Sequence, residues 1–195
     1  MAAYTRIAAT TAAVANRYVT STNMKVGAYA LANTTPVWAG AGFVTVTHTE
    51  VGGGVDTLGT IDVVGVDLAG NTRSESIVPL NGTVATGTIA FRTITSITGV
   101  GWVIGVGNDT IVVGVAAGSI ACGSGGTLYA IVVNTTAAAA ITVSDSVGTI
   151  AVLKTSIAEG HYIYGPGVDF TGYLKVATTS TNDITVITSP TKGWG

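Results

Sequence analysis

The chain has 195 residues and a formal net charge of −2, and only 9% of its residues are Asp, Glu, Lys or Arg, against about 25% in an ordinary soluble domain. Hydrophobic residues make up 47% and mean hydropathy is +0.56, which excludes a disordered chain, whose signature is low hydrophobicity with high charge. Eight basic residues and one cysteine, Cys122, argue against phosphate-driven polyanion binding, a disulfide framework and a multi-thiolate metal site.

Thr, Val and Ile together contribute 76 residues, and these β-branched types favour pleated strands over helices. Residues 1–36 are rich in Ala, Thr and Asn. Ile7, Thr11, Val14 and Tyr18 form a weak helical stripe that the surrounding Thr and Val oppose, so a helix and an extended arm that orders on a neighbour both stay open, and the segment is set apart as an N-terminal arm. The opening Met1–Ile7 lacks a basic region followed by an unbroken apolar run. The expectation is a product made and kept in a cytoplasm until it joins an assembly.

From Val37 the pattern is β. Phe43–Thr49 alternates, then Gly52-Gly53-Gly54 breaks it. Thr60–Val66 and Arg73–Val78 flank Asp67-Leu68-Ala69-Gly70-Asn71 and read as a hairpin, and Asn81-Gly82 supplies the next turn. Thr88–Thr98 reads as one long strand whose apolar parity changes between Phe91 and Ile94, predicting a bulge. Trp102–Ile104 and Ile111–Val113 flank Gly105–Asp109 as a further hairpin. The stretch Gly114–Gly126 is small and polar, the best internal boundary.

Beyond it, strands are expected at 128–134, 141–144, 149–154, 161–164, 173–178 and 184–188, with turns every 8–12 residues or so, as in a sandwich or barrel. The fold class is all-β: two antiparallel β-sandwich (jelly-roll or Ig-like) modules with an N-terminal arm. The boundaries are 1–36 for the arm, 37–117 and 118–189 for the modules, and 190–195 for a tail containing Lys192-Gly193-Trp194-Gly195. No fixed-period repeat emerges. The longest uncharged stretch, Thr110–Ser144, has Gly118–Gly126 at its centre, which is loop chemistry and not a lipid-facing helix.

Chemistry is hard to find. Catalysis by Ser or Cys needs a nearby His and an orienting acid. His48 shares strand parity with Val44 and Val46, the position of a structural histidine, and His161 begins a strand after Glu159-Gly160. Glu50, Glu75 and Glu159 are dispersed, unlike a glycosidase pair. Asp56, Asp62, Asp67 and Asn71 bracket a hairpin and could offer oxygen to calcium. The turn roles of Asp67 and Asn71 account for them better. Gly105-Val106-Gly107 and Gly123–Gly126 lack the lysine and strand–helix setting of a phosphate loop. Cys122 has no adjacent cation to activate it. The sequons at Asn33, Asn81, Asn108 and Asn134 follow from a composition rich in Asn and Thr. Tyr162, Tyr164 and Tyr173 are candidates for a stacking platform or for packing. No catalytic, cofactor-binding or metal residue is assigned, and no cofactor.

The runs Gly65–Ile77, Leu80–Thr83, Ala90–Ile97 and Val106–Asp109 resemble a pattern found in tailed-bacteriophage virion proteins of the head surface, neck or tail. Leu128–Asn134 through Asp183–Val186 is similar to the β knobs of phage decoration and fibre proteins. The resemblance covers roughly residues 60–188, rests on turn and strand grammar, and carries no catalytic residue. It implies a non-enzymatic head decoration or cement protein on the virion. Its partners would be the major capsid protein and copies of itself, in a trimer if it follows such proteins, without direct contact to nucleic acid or membrane. The alternative is a tail, fibre or baseplate component that binds a host-surface glycan.

Overall fold

The computed structural model describes residues 3–8, 11–53, 57 and 59–190. Gly54, Asp56 and the tail at 191–195, all singled out in the sequence, lie outside the described residues. Among those described there is no helix, and sixteen strands form four sheets of four. Every ladder between named strands is antiparallel.

The chain divides into two compact units. Unit 2, residues 13–36 and 42–116, holds β2 (Val14–Asn23), β3 (Gly27–Ala28), β4 (Gly42–Thr49), β5 (Thr60–Val66), β6 (Thr72–Ile77), β7 (Val84–Phe91), β8 (Thr93–Val100) and β9 (Thr110–Val115). Its sheets run β2-β9-β4-β7 and β3-β8-β5-β6. Unit 1, residues 1–12, 37–41 and 117–195, holds β1 (Ala3–Ile7), β10 (Ser119–Cys122), β11 (Gly126–Val133), β12 (Ile141–Ser144), β13 (Thr149–Leu153), β14 (Gly160–Phe170), β15 (Leu174–Thr178) and β16 (Ile184–Pro190). Its sheets run β1-β16-β11-β14 and β10-β15-β12-β13.

Numbered within each unit, the two strand orders are identical. One sheet is first-eighth-third-sixth, and the other is second-seventh-fourth-fifth. Unit 2 lies in sequence between the first and second strands of unit 1.

Alternation explains the strands. In β5, Ile61, Val63 and Gly65 are buried while Thr60, Asp62, Val64 and Val66 are half-exposed, the period of two that lets one face join a core. Unit 2 buries Tyr18, Val44, Val46, Ile61, Val63, Phe91, Ile94, Ile97, Ile111 and Val113. Unit 1 buries Ile7, Ile120, Leu128, Ile131, Ile141, Val143, Leu174, Val176, Ile184 and Val186. Each such side chain contributes roughly 1.5–3 kcal/mol when fully buried. Turn chemistry also holds as read. Gly82, at φ +63°, takes the left-handed conformation that glycine adopts without a Cβ clash. Asp67 Oδ1 accepts the Ala69 and Asn71 amides, each at 2.9 Å, across the β5–β6 turn.

Three expectations are corrected. The described part of residues 1–36 is not an arm that orders on a neighbouring molecule: β1 pairs with β16 from Ala3↔Thr188 to Ile7↔Ile184, and β2 pairs with β9. The reason is burial, since Ile7, Tyr18 and Val19 are core residues. The parity change after Phe91 is a passage between sheets and not a bulge within one strand. β7 pairs with β4 and β8 pairs with β5, and the Arg92 amide donates to Val66 O at the break. Finally, Trp102–Ile104 forms no strand with Ile111–Val113. Val103 makes a single bridge to Thr57, whereas β9 sits between β2 and β4. The Gly114–Gly126 stretch contains the 116/117 division between units, and also a strand of its own, β10.

Candidate functional site

The most chemically distinctive feature joins two residues of unit 2 that are 61 positions apart. His48, near the end of β4, places Nε2 2.8 Å from Asp109 Oδ2, just before β9. Register brings them together, because β4 and β9 pair through His48↔Ile111 and Thr49↔Thr110. The other carboxylate oxygen accepts the Val51 amide at 2.7 Å, and the Asp109 carbonyl accepts the Met24 amide at 2.7 Å. Both side chains are sealed, with His48 2% and Asp109 0% exposed. The His48 ring lies 6.3 Å from the Trp102 ring, tilted by 30°.

A histidine held by a carboxylate is half of a hydrolytic triad, but that chemistry needs a substrate to reach the imidazole. Here β4, the Val51 turn and Trp102 enclose the pair. The arrangement fixes a loop and a strand end, which is a structural role. The inward position of His48 was readable from parity with Val44 and Val46. Asp109 was not, because a lone Asp in a Gly-rich loop carries no sign of its partner.

The remaining candidates separate. His161 is exposed on β14, opposite Val132. Asp62 accepts the Thr60 hydroxyl at 2.9 Å, and Asp67 is occupied by its turn. Hydrogen bonds from the Asn71 and Ala69 amides, with Arg73 nearby, hold its carboxyl below the usual range. No cluster of three metal-ligating residues occurs among the described residues. Cys122 ends β10 and its thiol donates to Ser124 O at 3.3 Å.

Tyr162 and Tyr164 lie two apart on β14, and Tyr162 pairs with the buried Ile131. They therefore stand on the core-facing side of that sheet and not on its outer face. The Tyr162 hydroxyl donates to Ala158 O at 2.7 Å, and burial raises the Tyr164 phenol. Tyr173 precedes β15 in the other sheet of unit 1. Packing residues, not a platform, are what this arrangement describes. A shallow groove of about 350 Å³ in unit 1 is lined by Arg6, Ala8, Val37, Trp38 and Ala39. Its one charged group, Arg6, is already paired with Asp183.

The outer face of the β1-β16-β11-β14 sheet is different. Tyr4 pairs with Ile187, Ile187 with Ala130, and Ala130 with Ile163. One apolar row thus crosses all four strands, spanning about 14 Å at the usual strand spacing. Its ends are open, with Tyr4 70% and Ile163 71% exposed. Between them Ile187 is half-exposed and Ala130 is 6% exposed, so the outer face offers two exposed apolar side chains at its edges, and exposed apolar surface of this kind marks places that meet something.

Comparison with protein-family models, with curated proteins and with solved structures finds no match to this chain.

Proposed function

We propose that the protein is a non-enzymatic virion structural protein of a tailed bacteriophage, a decoration or cement protein that stabilises the head by bridging major capsid subunits. The observation that carries the reading is the strand order repeated in both units. First-eighth-third-sixth with second-seventh-fourth-fifth is the connectivity of an eight-stranded jelly roll, so each unit is read as a jelly-roll sandwich. Viral capsid domains use this architecture, as do lectins and cupins.

Low charge supports the same reading. Two units with 9% charged residues cover their exteriors with Thr, Ser, Asn and Gly and leave apolar side chains outside, which suits a tile with many neighbours. The Tyr4–Ile187–Ala130–Ile163 row is the surface assigned to the capsid. Each 1,000 Å² of apolar area buried there would contribute roughly 25 kcal/mol before ordering costs, and many copies on a shell add avidity. The place of synthesis is the host cytoplasm, and the final location is the head surface.

Particle copy number tests this. Quantitative mass spectrometry of purified particles should find hundreds of copies, in fixed ratio to the major capsid protein. Tens of copies or fewer would point to the tail and overturn the decoration role.

A further inference from the structure

The four sheets end in eight edge strands, and edges with free backbone groups attract other strands unless they are blunted. Glu75 covers β7, accepting the Thr88 amide at 2.5 Å and the Ile89 amide at 3.2 Å. β6 carries Arg73 and Glu75, β1 carries Arg6, and β3 has two residues. On β2 the Tyr18 carbonyl accepts the Ala32 amide, the Arg17 carbonyl accepts the Asn33 side chain, and the ladder to β9 is bulged. Residue Ala41 exchanges hydrogen bonds with Ile120 on β10, and β14 is broken by Gly165-Pro166-Gly167 with φ +55° and +108° at the glycines.

β13 is the exception. Thr149-Ile150-Ala151-Val152-Leu153 holds no charge, proline or glycine and, among the described residues, pairs only with β12. A bulge opposite Ser144 affects its start and leaves Ala151–Leu153 in regular pairing. Val152 is 56% exposed, and Val147, in the turn that leads into the strand, is 82% exposed. We infer that β13 is the docking edge for a second copy of this chain, pairing antiparallel with its own counterpart about a two-fold axis at Ala151. The inference deepens the self-association within the proposed function and rests on that reading for its setting on a particle.

Symmetry and charge select the register. In a two-fold antiparallel pair, opposed residues must present the same face, so their numbers sum to an even value. Centred on Ala151, Val152 of each copy meets Ile150 of the other, beside the bulge that turns Thr149 to the face opposite Ala151. Lys154 then meets the 145–148 turn, where the Asp145 carboxylate accepts the Val147, Gly148 and Thr171 amides at 2.8, 2.9 and 2.9 Å. Each dimer thus gains two Lys154–Asp145 attractions at the rims of an uncharged centre. Centring on Val152 would place Lys154 against Ile150 and lose both. The joined sheet would have eight strands and end in β10 at both sides, and an isologous two-fold contact uses the β13 edge of both copies, so it ends at a dimer.

The test uses the full chain in solution, on a Cys122→Ser background. On mild oxidation Ala151→Cys should form a disulfide-linked dimer, because residues opposed across strands lie within disulfide reach. Thr149→Cys should not, since its counterpart is four residues out of register. Val152→Lys should keep the β circular-dichroism spectrum and raise the dimer dissociation constant by at least ~100-fold. A monomeric wild type, equal crosslinking at 149 and 151, no crosslinking at 151, or a Val152→Lys protein that dimerises normally would each overturn the inference. Particle binding separates the two claims. A β13 dimer that never attaches to shells contradicts only the decoration role, and a monomer that attaches contradicts only the docking edge.

Discussion

His48 Nε2 lies 2.8 Å from Asp109 Oδ2 with both side chains withdrawn from solvent, so the end of β4 and the loop before β9 are held by one buried pair. Removing one partner strands the other, and breaking a buried pair of this kind typically costs about 3–5 kcal/mol. Asp109→Ala also strips the Val51 amide of its acceptor. Urea unfolding should show a loss of about 3 kcal/mol or more. A loss below about 1 kcal/mol would mean that the pair does not hold the unit together.

A second prediction concerns the edge of β7. The Glu75 carboxylate also accepts the Thr88 hydroxyl at 2.8 Å, so it replaces a missing neighbour strand with side-chain acceptors. Glu75→Ala should lower stability by about 1–2 kcal/mol and increase aggregation in light scattering, because it frees the Thr88 and Ile89 amides. Unchanged scattering would argue against a covering role.

The link between β1 and β16 has a pH signature. Arg6 Nε and Nη2 contact the two Asp183 carboxylate oxygens at 2.9 and 2.5 Å, and Asn134 donates at 2.9 Å. The Arg6 hydrogen bond first, then Asn134, hold the Asp183 carboxyl at about 2. A carboxyl depressed in the folded state contributes stability above its unfolded value near 4, and that contribution disappears as pH falls through about 2. Carboxyl-carbon NMR should place the Asp183 midpoint near 2, and Arg6→Ala should move it up toward the usual range. An unmoved midpoint would contradict the assignment.

Alkali should act through Tyr18. Its side chain is fully buried, its hydroxyl has no hydrogen-bond partner among the described residues, and burial raises its ionisation well above the ordinary phenol value. The unfolded tyrosine ionises near 10, so above that pH ionisation favours the unfolded chain and stability falls. Tyr18→Phe should leave stability near neutrality equal or up to about 1 kcal/mol higher. It should also make the alkaline loss shallower. A large destabilisation at neutral pH would show that the hydroxyl matters.

Much of the strand inventory is written locally. Thr60–Val66 alternates and folds as β5, and Asp67–Asn71 turns because an Asp side chain caps its own loop. What local pattern does not encode is partnership. Nothing in Thr88–Thr98 distinguishes a bulged strand from two strands in different sheets, because both shift parity at Arg92. Nothing near residue 5 says that its partner is Val186. The duplicated strand order leaves no sequence period, since topology constrains burial and turns while leaving side-chain identity free. His48 was legible as an inward residue, and its acid was not, because contact across 61 positions arises only from register. The tyrosines show the same limit, their face on β14 being set by pairing with β11.

The N-terminal segment gives a sharp consequence of that partnership. Deleting residues 1–8 removes β1 and the buried Ile7 and exposes β16 as a new edge. The truncated protein should unfold at a lower Tm than the full chain, with the loss confined to unit 1 in hydrogen exchange. An unchanged Tm would restore the reading of this segment as an arm that orders on a neighbour.

The decoration proposal is tested most directly by a density map of a virus particle assembled with this protein. A decoration protein of this fold should show two small eight-stranded lobes per copy, repeated across the head surface, with Tyr4 and Ile163 buried against major capsid subunits. Density for this chain confined to the tail or baseplate, or a head-bound copy with those two side chains facing solvent, would contradict the proposal.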